Sequence, residues 1–437
     1  MPDSSLAGEK EVKSMRPFLI IWVGQTFSLL GSGLVQFALI WYLTETFSSA
    51  LILAIATIVW LLPQILLGPI AGALVDRWNR RVVMIAADGI IALAIIVLAL
   101  CFLLEWVPLW LIYAIMFVRS LGTAFHRPAM LASTPLLIPE KHLTRIAGLN
   151  QGIQGATKII VPPIAALLLA WLPMQSILAI DLLTATIAII PLFFIHIPNP
   201  VRKDLVQDLP QDLGQGSTAR NQRHKPSVMD DLWAGLTFVW GWTGLRLVFG
   251  LALILNIFLT PAFALLPIMI TETFGGDAID FAWVSAGWGT GAILGGLLLG
   301  VWSGFNNRMI LFLGGLLLLG ACLLVIGFTP PTLLWMLIIT TGFGGLMNAV
   351  AVGTLIAVFQ VVIPNEIQGR VFTLFGSINQ GMIPLGLLIA APVADSVGVQ
   401  IWFTLGGIVM MTMFTAAFFI PAVLHLESKG KQMVSSQ

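Results

Sequence analysis

The sequence predicts an all-α membrane protein, with twelve transmembrane helices in two pseudo-symmetric six-helix bundles, and three observations predict it. The chain has 437 residues, of which 58% are hydrophobic and 9% charged, more apolar surface than a water-soluble globule can bury. Its apolar residues fall into twelve runs, each near the roughly twenty residues that cross about 30 Å of hydrocarbon. Lysine and arginine then fall on alternate loops, and a sequence motif returns half a chain later.

Taken in order, the expected spans are 18–43, 51–75, 82–104, 109–131, 146–171, 176–197, 246–271, 282–303, 309–328, 332–358, 371–393 and 400–424. The polar tail 1–17 is followed by an apolar run too long for a signal-peptide core and lacking a small-residue cleavage site, so it reads as a retained span. Residues 18–197 form the expected first bundle and 198–230, rich in Gln, Asp, Arg and Pro, a cytoplasmic linker. The second bundle covers 231–424, led by an amphipathic segment around Asp230–Trp240, and a cytoplasmic tail fills 425–437.

Charge fixes the expected orientation. Lys10, Lys13, Arg16, Arg77, Arg80, Arg81, Arg127, Lys141 and Arg145 fall on one side, joined by the basic linker, Arg308, Arg370, Lys429 and Lys431. The six opposite loops hold no lysine or arginine but contain Glu45, Glu105, Glu272, Asp277, Asp280 and Asp395. Both termini are therefore expected in the cytoplasm of a bacterial cell, with the chain in the inner or plasma membrane. Trp41, Trp106, Trp110, Trp171, Trp283 and Trp402, near outer helix ends, fit an interfacial belt.

The repeat supports the two halves. Ile138-Pro139, Arg145-Ile146, Leu149 and Ile153-Gln154 recur as Ile363-Pro364, Arg370-Val371, Leu374 and Ile378-Asn379, each 225 residues on. That offset suits two halves related by an axis along the membrane normal. A weaker echo sets Gly72, Asp76 and Arg80 against Gly300, Gly304 and Arg308, 228 residues on, with the acid missing from the second copy.

Four charges fall within spans: Asp88, Arg119, Lys158 and Asp181. A charge at a helix centre costs roughly 2.5–3.5 kcal/mol on translocon scales, so two acids and two bases suggest mutual neutralisation. Either Asp88 or Asp181 titrates against a nearby cation as a proton-coupling group, or the set is a fixed pairing that only permits insertion. Gln25, Ser32 and Gln36 make a narrow polar stripe on the first helix. That stripe, with Asn256, Asn348, Asn379 and Gln380 as counterparts, either lines a cavity or makes interhelical hydrogen bonds.

Several chemistries find no support. Cys101 and Cys322 sit in apolar helices as small hydrophobes, and no Cys/His spacing suggests a metal or cofactor. His126, His142, His196, His224 and His425 fall near cytoplasmic ends and read as solvated. The glycines of spans eight and ten lie in apolar runs without a phosphate-binding Lys-Ser/Thr, so they read as close-packing sites. No basic-aromatic tract suits nucleic acid, and no nucleophile-base pair suits an intramembrane enzyme.

The loop Gly72-Ala-Leu-Val-Asp76-Arg77-Trp-Asn-Arg80-Arg81, with the layout and the repeat, resembles the major facilitator superfamily over nearly the whole chain. Gly24-Gln25, the Phe117–Pro128 stretch, Thr134–Glu140, Ala179-Ile-Asp181 and Gly369-Arg370-Val-Phe are similar to the macrolide-efflux (Mef-type) branch of drug:proton antiporters. The resemblance implies export of amphipathic drugs by alternating access in exchange for protons, with small-molecule substrate, protons and lipid as partners; a monomer is an expectation apart from it. It implies a gating latch at Gly72, Asp76, Arg77, Arg80 and Arg81, with Arg145, Arg308 and Arg370 in the same network. The sequence departs from the family's fifth-span signature at Lys158 and at Pro162, where glycines would stand, while Pro163 keeps the signature's proline. The alternatives are a lysophospholipid or siderophore cargo on the same fold, or a non-transporting membrane sensor or structural protein.

Overall fold

A computed structural model describes residues 15–75, 77–139, 142–195, 197, 228–301 and 307–428. Residues 1–14 and 429–437, Asp76, Lys141, His196, Gly304 and the linker up to 227 lie outside the described residues. The described residues form fourteen α-helices and one π turn, and twelve of those helices are long and apolar enough to cross a membrane.

The spanning helices are α1 (Arg16–Phe47), α2 (Ala50–Val75), α3 (Arg80–Leu103), α4 (Leu109–Leu137), α5 (Leu143–Trp171) and α6 (Met174–Phe194). After the short α7 (Val228–Gly241) come α8 (Thr243–Ile268), α9 (Ala278–Val301), α10 (Arg308–Phe328), α11 (Leu334–Val362), α12 (Asn365–Val397) and α13 (Val399–Phe418). The expected last span, 400–424, is divided: the chain breaks at Phe419 and Ile420 and restarts as α14 (Pro421–Leu424). Pro421 lacks the N–H that would continue the α13 ladder, and it suits the first turn of a new helix.

Helix starts repeat as the sequence does. Asn79 caps α3 by accepting from the N–H groups of Arg81 and Val82, and Asn307, 228 positions later, caps α10 by accepting from Met309. Ile138 and Ile363, 225 apart, each end a helix in extended conformation just before a proline, and both are buried. A residue before proline is pushed out of the helical region, so the shared Ile-Pro sets both breaks.

Two compact units can be distinguished, one of residues 1–36, 66–157 and 172–203, the other of 37–65, 158–171 and 204–437. In the first, α3 packs on α4 and α6. Its apolar core includes Ile21, Val75, Met84, Ala129 and Leu192, all buried. In the second, α9 packs on α11, α10 on α11 and α13, and α8 on α12. A Cβ added at Gly291 would strike the Gly342 carbonyl and one at Gly345 the Trp288 carbonyl, so small residues let α9 and α11 touch backbone to backbone. That is the packing role expected of these glycines.

Candidate functional site

In the first unit, α1 carries a polar stripe between two buried ionic clusters. Gln25 and Ser32 lie seven residues apart, two helical turns or about 10 Å along the axis. Each meets a buried carboxylate. The Gln25 side-chain amide donates to Asp88 Oδ2 at 3.1 Å, and the Ser32 hydroxyl donates to Asp181 Oδ1 at 3.2 Å.

Asp181, on α6, forms an ion pair with Arg119 of α4, Nη2 to Oδ2 at 3.6 Å. Both side chains are almost fully enclosed, at 2% and 1% exposure. The same Nη2 donates to the Ser32 carbonyl at 3.2 Å, so one guanidinium ties α1, α4 and α6 together. An unpaired ion at this depth would carry an uncompensated desolvation penalty, and the fork geometry of arginine suits a shared acceptor set.

The second cluster holds Asp88 of α3, 7% exposed at its side chain, with Gln25 on one oxygen and His126 of α4 on the other. His126 Nε2 lies 3.3 Å from Asp88 Oδ1, and its side chain is only 17% exposed. The expectation of a solvated His126 is therefore corrected. α4 turns this residue inward because its buried face runs through Ile112, Met116, Arg119 and Ala129, and His126 stands seven residues, about two turns, beyond Arg119.

Close helix approach sets these distances. A Cβ at Gly24 would lie 3.1 Å from the Ile187 carbonyl. One at Gly31 would strike the Thr184 hydroxyl and lie 3.0 Å from Asp181 Oδ1. Two glycines seven apart thus bring α1 against α6 at the level of the Asp181 pair. Gly122 does the same between α4 and α3, where a Cβ would come within 2.7 Å of Ile91 and 3.2 Å of the Ala87 carbonyl.

The remaining predicted residues divide. Lys158 is exposed, stands in the second unit, and has no ion-pair partner among the described residues. The titratable base nearest Asp88 among the described residues is His126. Gln36 has a buried Oε1 without a hydrogen-bond partner. Asn256 of α8 donates to Asn379 of α12 at 2.8 Å, the interhelical reading of that pair, while Gln380 is exposed and Asn348 half-buried.

In the expected gating loop, Asp76 lies outside the described residues and Gly72 is within the last turn of α2. Arg80 donates to the Ala132 carbonyl at 2.7 Å and Arg81 to the Phe193 carbonyl, so both tether the start of α3 to the ends of α4 and α6. Arg77 is exposed beside Trp78, which stacks on Phe125 at 6.3 Å between centroids. Arg308 pairs with Glu427 at 3.6 Å, and Arg145 is exposed. Gly235 of α7 lies against the Arg370 backbone, where a Cβ would be 3.3 Å from its carbonyl oxygen.

Between α3 and α4 lies a groove of about 650 Å³, lined by Trp78, Val82, Ala86, Ile90 and Phe125, with Arg77 at its rim. Ala87 and Phe125, which also line it, directly precede Asp88 and His126 in sequence. Asn79 is a second polar residue of the lining, and apolar and aromatic walls with a few polar groups are the usual make-up of a site for an amphipathic small molecule.

Comparison with known proteins gives a consistent result. A family model described as "Transmembrane secretion effector" matches residues 13–436. The chain is 34% identical over 415 residues to Macrolide efflux protein A of Streptococcus pyogenes, spanning 94% of this chain and 98% of that one. It is 24% identical over 422 residues to the Multidrug efflux pump Tap of Mycolicibacterium fortuitum, spanning 95% and 98%. Among solved structures, a bacterial homologue of the human lysosomal transporter Spinster aligns with a TM-score of 0.65 at 14% identity, covering 98% of this chain and 94% of that one. At that identity the likeness concerns the fold.

Proposed function

The chain belongs to the transmembrane secretion effector family of major facilitator transporters, and from that premise we propose that it exports hydrophobic or amphipathic drugs, macrolide-like compounds among them, in exchange for protons. The similarity to a macrolide efflux protein and a multidrug efflux pump, each over more than nine-tenths of this chain, supports drug export. The observation that carries the coupling is the pair of enclosed carboxylates joined through one face of α1.

Asp88 and Asp181 are the proton carriers in this reading. Asp88 has a histidine as its cationic neighbour, the side chain whose unperturbed charge change falls nearest neutral pH. Within the apolar span, a protonated Asp88–His126 pair is neutral whether the proton sits on carboxylate or imidazole, and its loss leaves a net negative charge. An exposed cavity tolerates that charge; an enclosed one does not. The Asp181–Arg119 pair is neutral with the carboxylate ionised, so a proton arriving there displaces Arg119 from Asp181 and loosens the junction of α1, α4 and α6. Rocking of two six-helix halves, residues 18–197 and 231–424, opens the site alternately to the cytoplasm, where both termini lie, and to the outside.

The test is drug uptake into inverted membrane vesicles, or drug efflux from cells of a pump-deficient host, driven by an imposed proton gradient. Asp88→Asn and Asp181→Asn are each expected to abolish gradient-driven movement while a protonophore abolishes that of the parent. Transport undiminished in both variants contradicts proton coupling through these acids, and resistance indifferent to the protonophore contradicts proton coupling altogether.

A further inference from the structure

The second unit contains a polar contact between segments some 345 residues apart. Asp395, two residues before the end of α12, places its carboxylate on the first turn of α2. Its Oδ1 accepts from the Ala50 N–H at 2.7 Å, and its Oδ2 accepts from the Leu51 N–H at 3.0 Å and the Ser49 hydroxyl at 3.2 Å. The first N–H groups of a helix have no partner in their own ladder and carry partial positive charge. Ser49 adds a long local contact, its hydroxyl accepting from the Ile52 N–H at 3.4 Å. A carboxylate from the other half of the sequence therefore completes the cap.

Just along the helices, a ring seal accompanies the polar contact. Phe281, in the first turn of α9, stacks on Phe37 and Trp41 of α1 at centroid distances of 5.2 and 6.1 Å. Both α1 rings are buried. Beneath the contact, Ala50, Leu53 and Ala54 of α2 are fully enclosed in the apolar core of the unit. The acid itself remains exposed, which suits a contact that water can break and re-form.

We infer that Asp395 is the outer-gate residue of the transport cycle: its carboxylate holds the first turn of α2, and the mouth opens outward when that cap is released. The inference rests on the alternating-access reading above. It uses none of the residues assigned to proton coupling. Only a carboxylate offers two acceptor oxygens and negative charge to this N-terminus. An amide in its place keeps one acceptor and presents N–H₂ to helix donors.

Ala54, 1% exposed, is the reporter position. In intact cells, with Cys101→Ser as background, Ala54→Cys is treated with a membrane-impermeant maleimide from outside. Asp395→Asn and Asp395→Ala are expected to speed labelling severalfold, with Ser49→Ala, which removes one of the three bonds to Asp395 and the long Ile52 contact, giving a smaller increase. Ser49→Ala keeps the carboxylate and its two backbone N–H partners, so it reports even where an Asp395 variant fails to fold. Labelling no faster than the parent in monodisperse Asp395→Asn and in Ser49→Ala overturns the inference. Separately, drug-dependent change in labelling of the parent reports alternating access itself, so loss of that response with the Asp395 effect intact faults the transport reading and not the gate.

Discussion

Arg119 and Asp181 are the residues whose physics is least negotiable. Each is enclosed to within 2% of complete burial and each is the other's counter-ion. Removing one partner from a buried pair costs about 3–5 kcal/mol because the survivor keeps its charge without compensation. Arg119→Gln and Asp181→Asn are therefore each expected to lower stability by about that amount, and the double variant by clearly less than the sum. Chemical unfolding in detergent measures this cycle; additive losses would mean the two side chains do not compensate one another. The contact between Asp88 and His126 is less enclosed, His126 keeping 17% exposure of its side chain. At this scale the sequence was legible for the acids and for Gln25 and Ser32, because a charge or amide in an apolar run stands out against its neighbours. His126 was not legible. A histidine near a helix end looks solvated until the packing of α3 against α4 turns its face to Asp88. Asp395 was hidden for a related reason, as one acid among several in loops opposite the basic side, with nothing local to mark α2 as its partner.

At the scale of elements, small residues decide which helices touch at the ionic clusters. Gly31 brings α1 so near α6 that a methyl would strike Thr184 and crowd Asp181. Alanine gains about 1 kcal/mol over glycine in a helix, but overpacking costs about 1–3 kcal/mol, so Gly31→Ala should be net destabilising. Thr184→Ala in the same chain is expected to restore most of the lost melting temperature by removing the atom struck. Loss that Thr184→Ala leaves unchanged would place the strain elsewhere. The twelve spans were legible because hydrocarbon thickness imposes their length, and the repeat told which helix starts correspond, as Asn79 and Asn307 then display as matched caps. The break before Pro421 was less legible, since apolar residues run through it unbroken and only the proline marks the restart.

For the whole molecule, the proposed exchange with protons requires that the enclosed acids change their protonation when drug arrives. Twelve spanning helices and family membership establish a multi-pass transporter, and the proposed exchange mechanism draws on the two carboxylates, Asp88 of α3 and Asp181 of α6, that accept from the α1 stripe. The expected orientation rests on the basic loops, because lysine and arginine resist translocation, whereas the partners of Asp88 emerged only in three dimensions. The most direct measurement is proton release on drug binding to purified protein in weakly buffered detergent, followed with a pH indicator. The parent is expected to release protons in proportion to drug bound, and the Asp88→Asn, Asp181→Asn double variant to bind drug without release. Equal release from both proteins would contradict the assignment of coupling to these two acids.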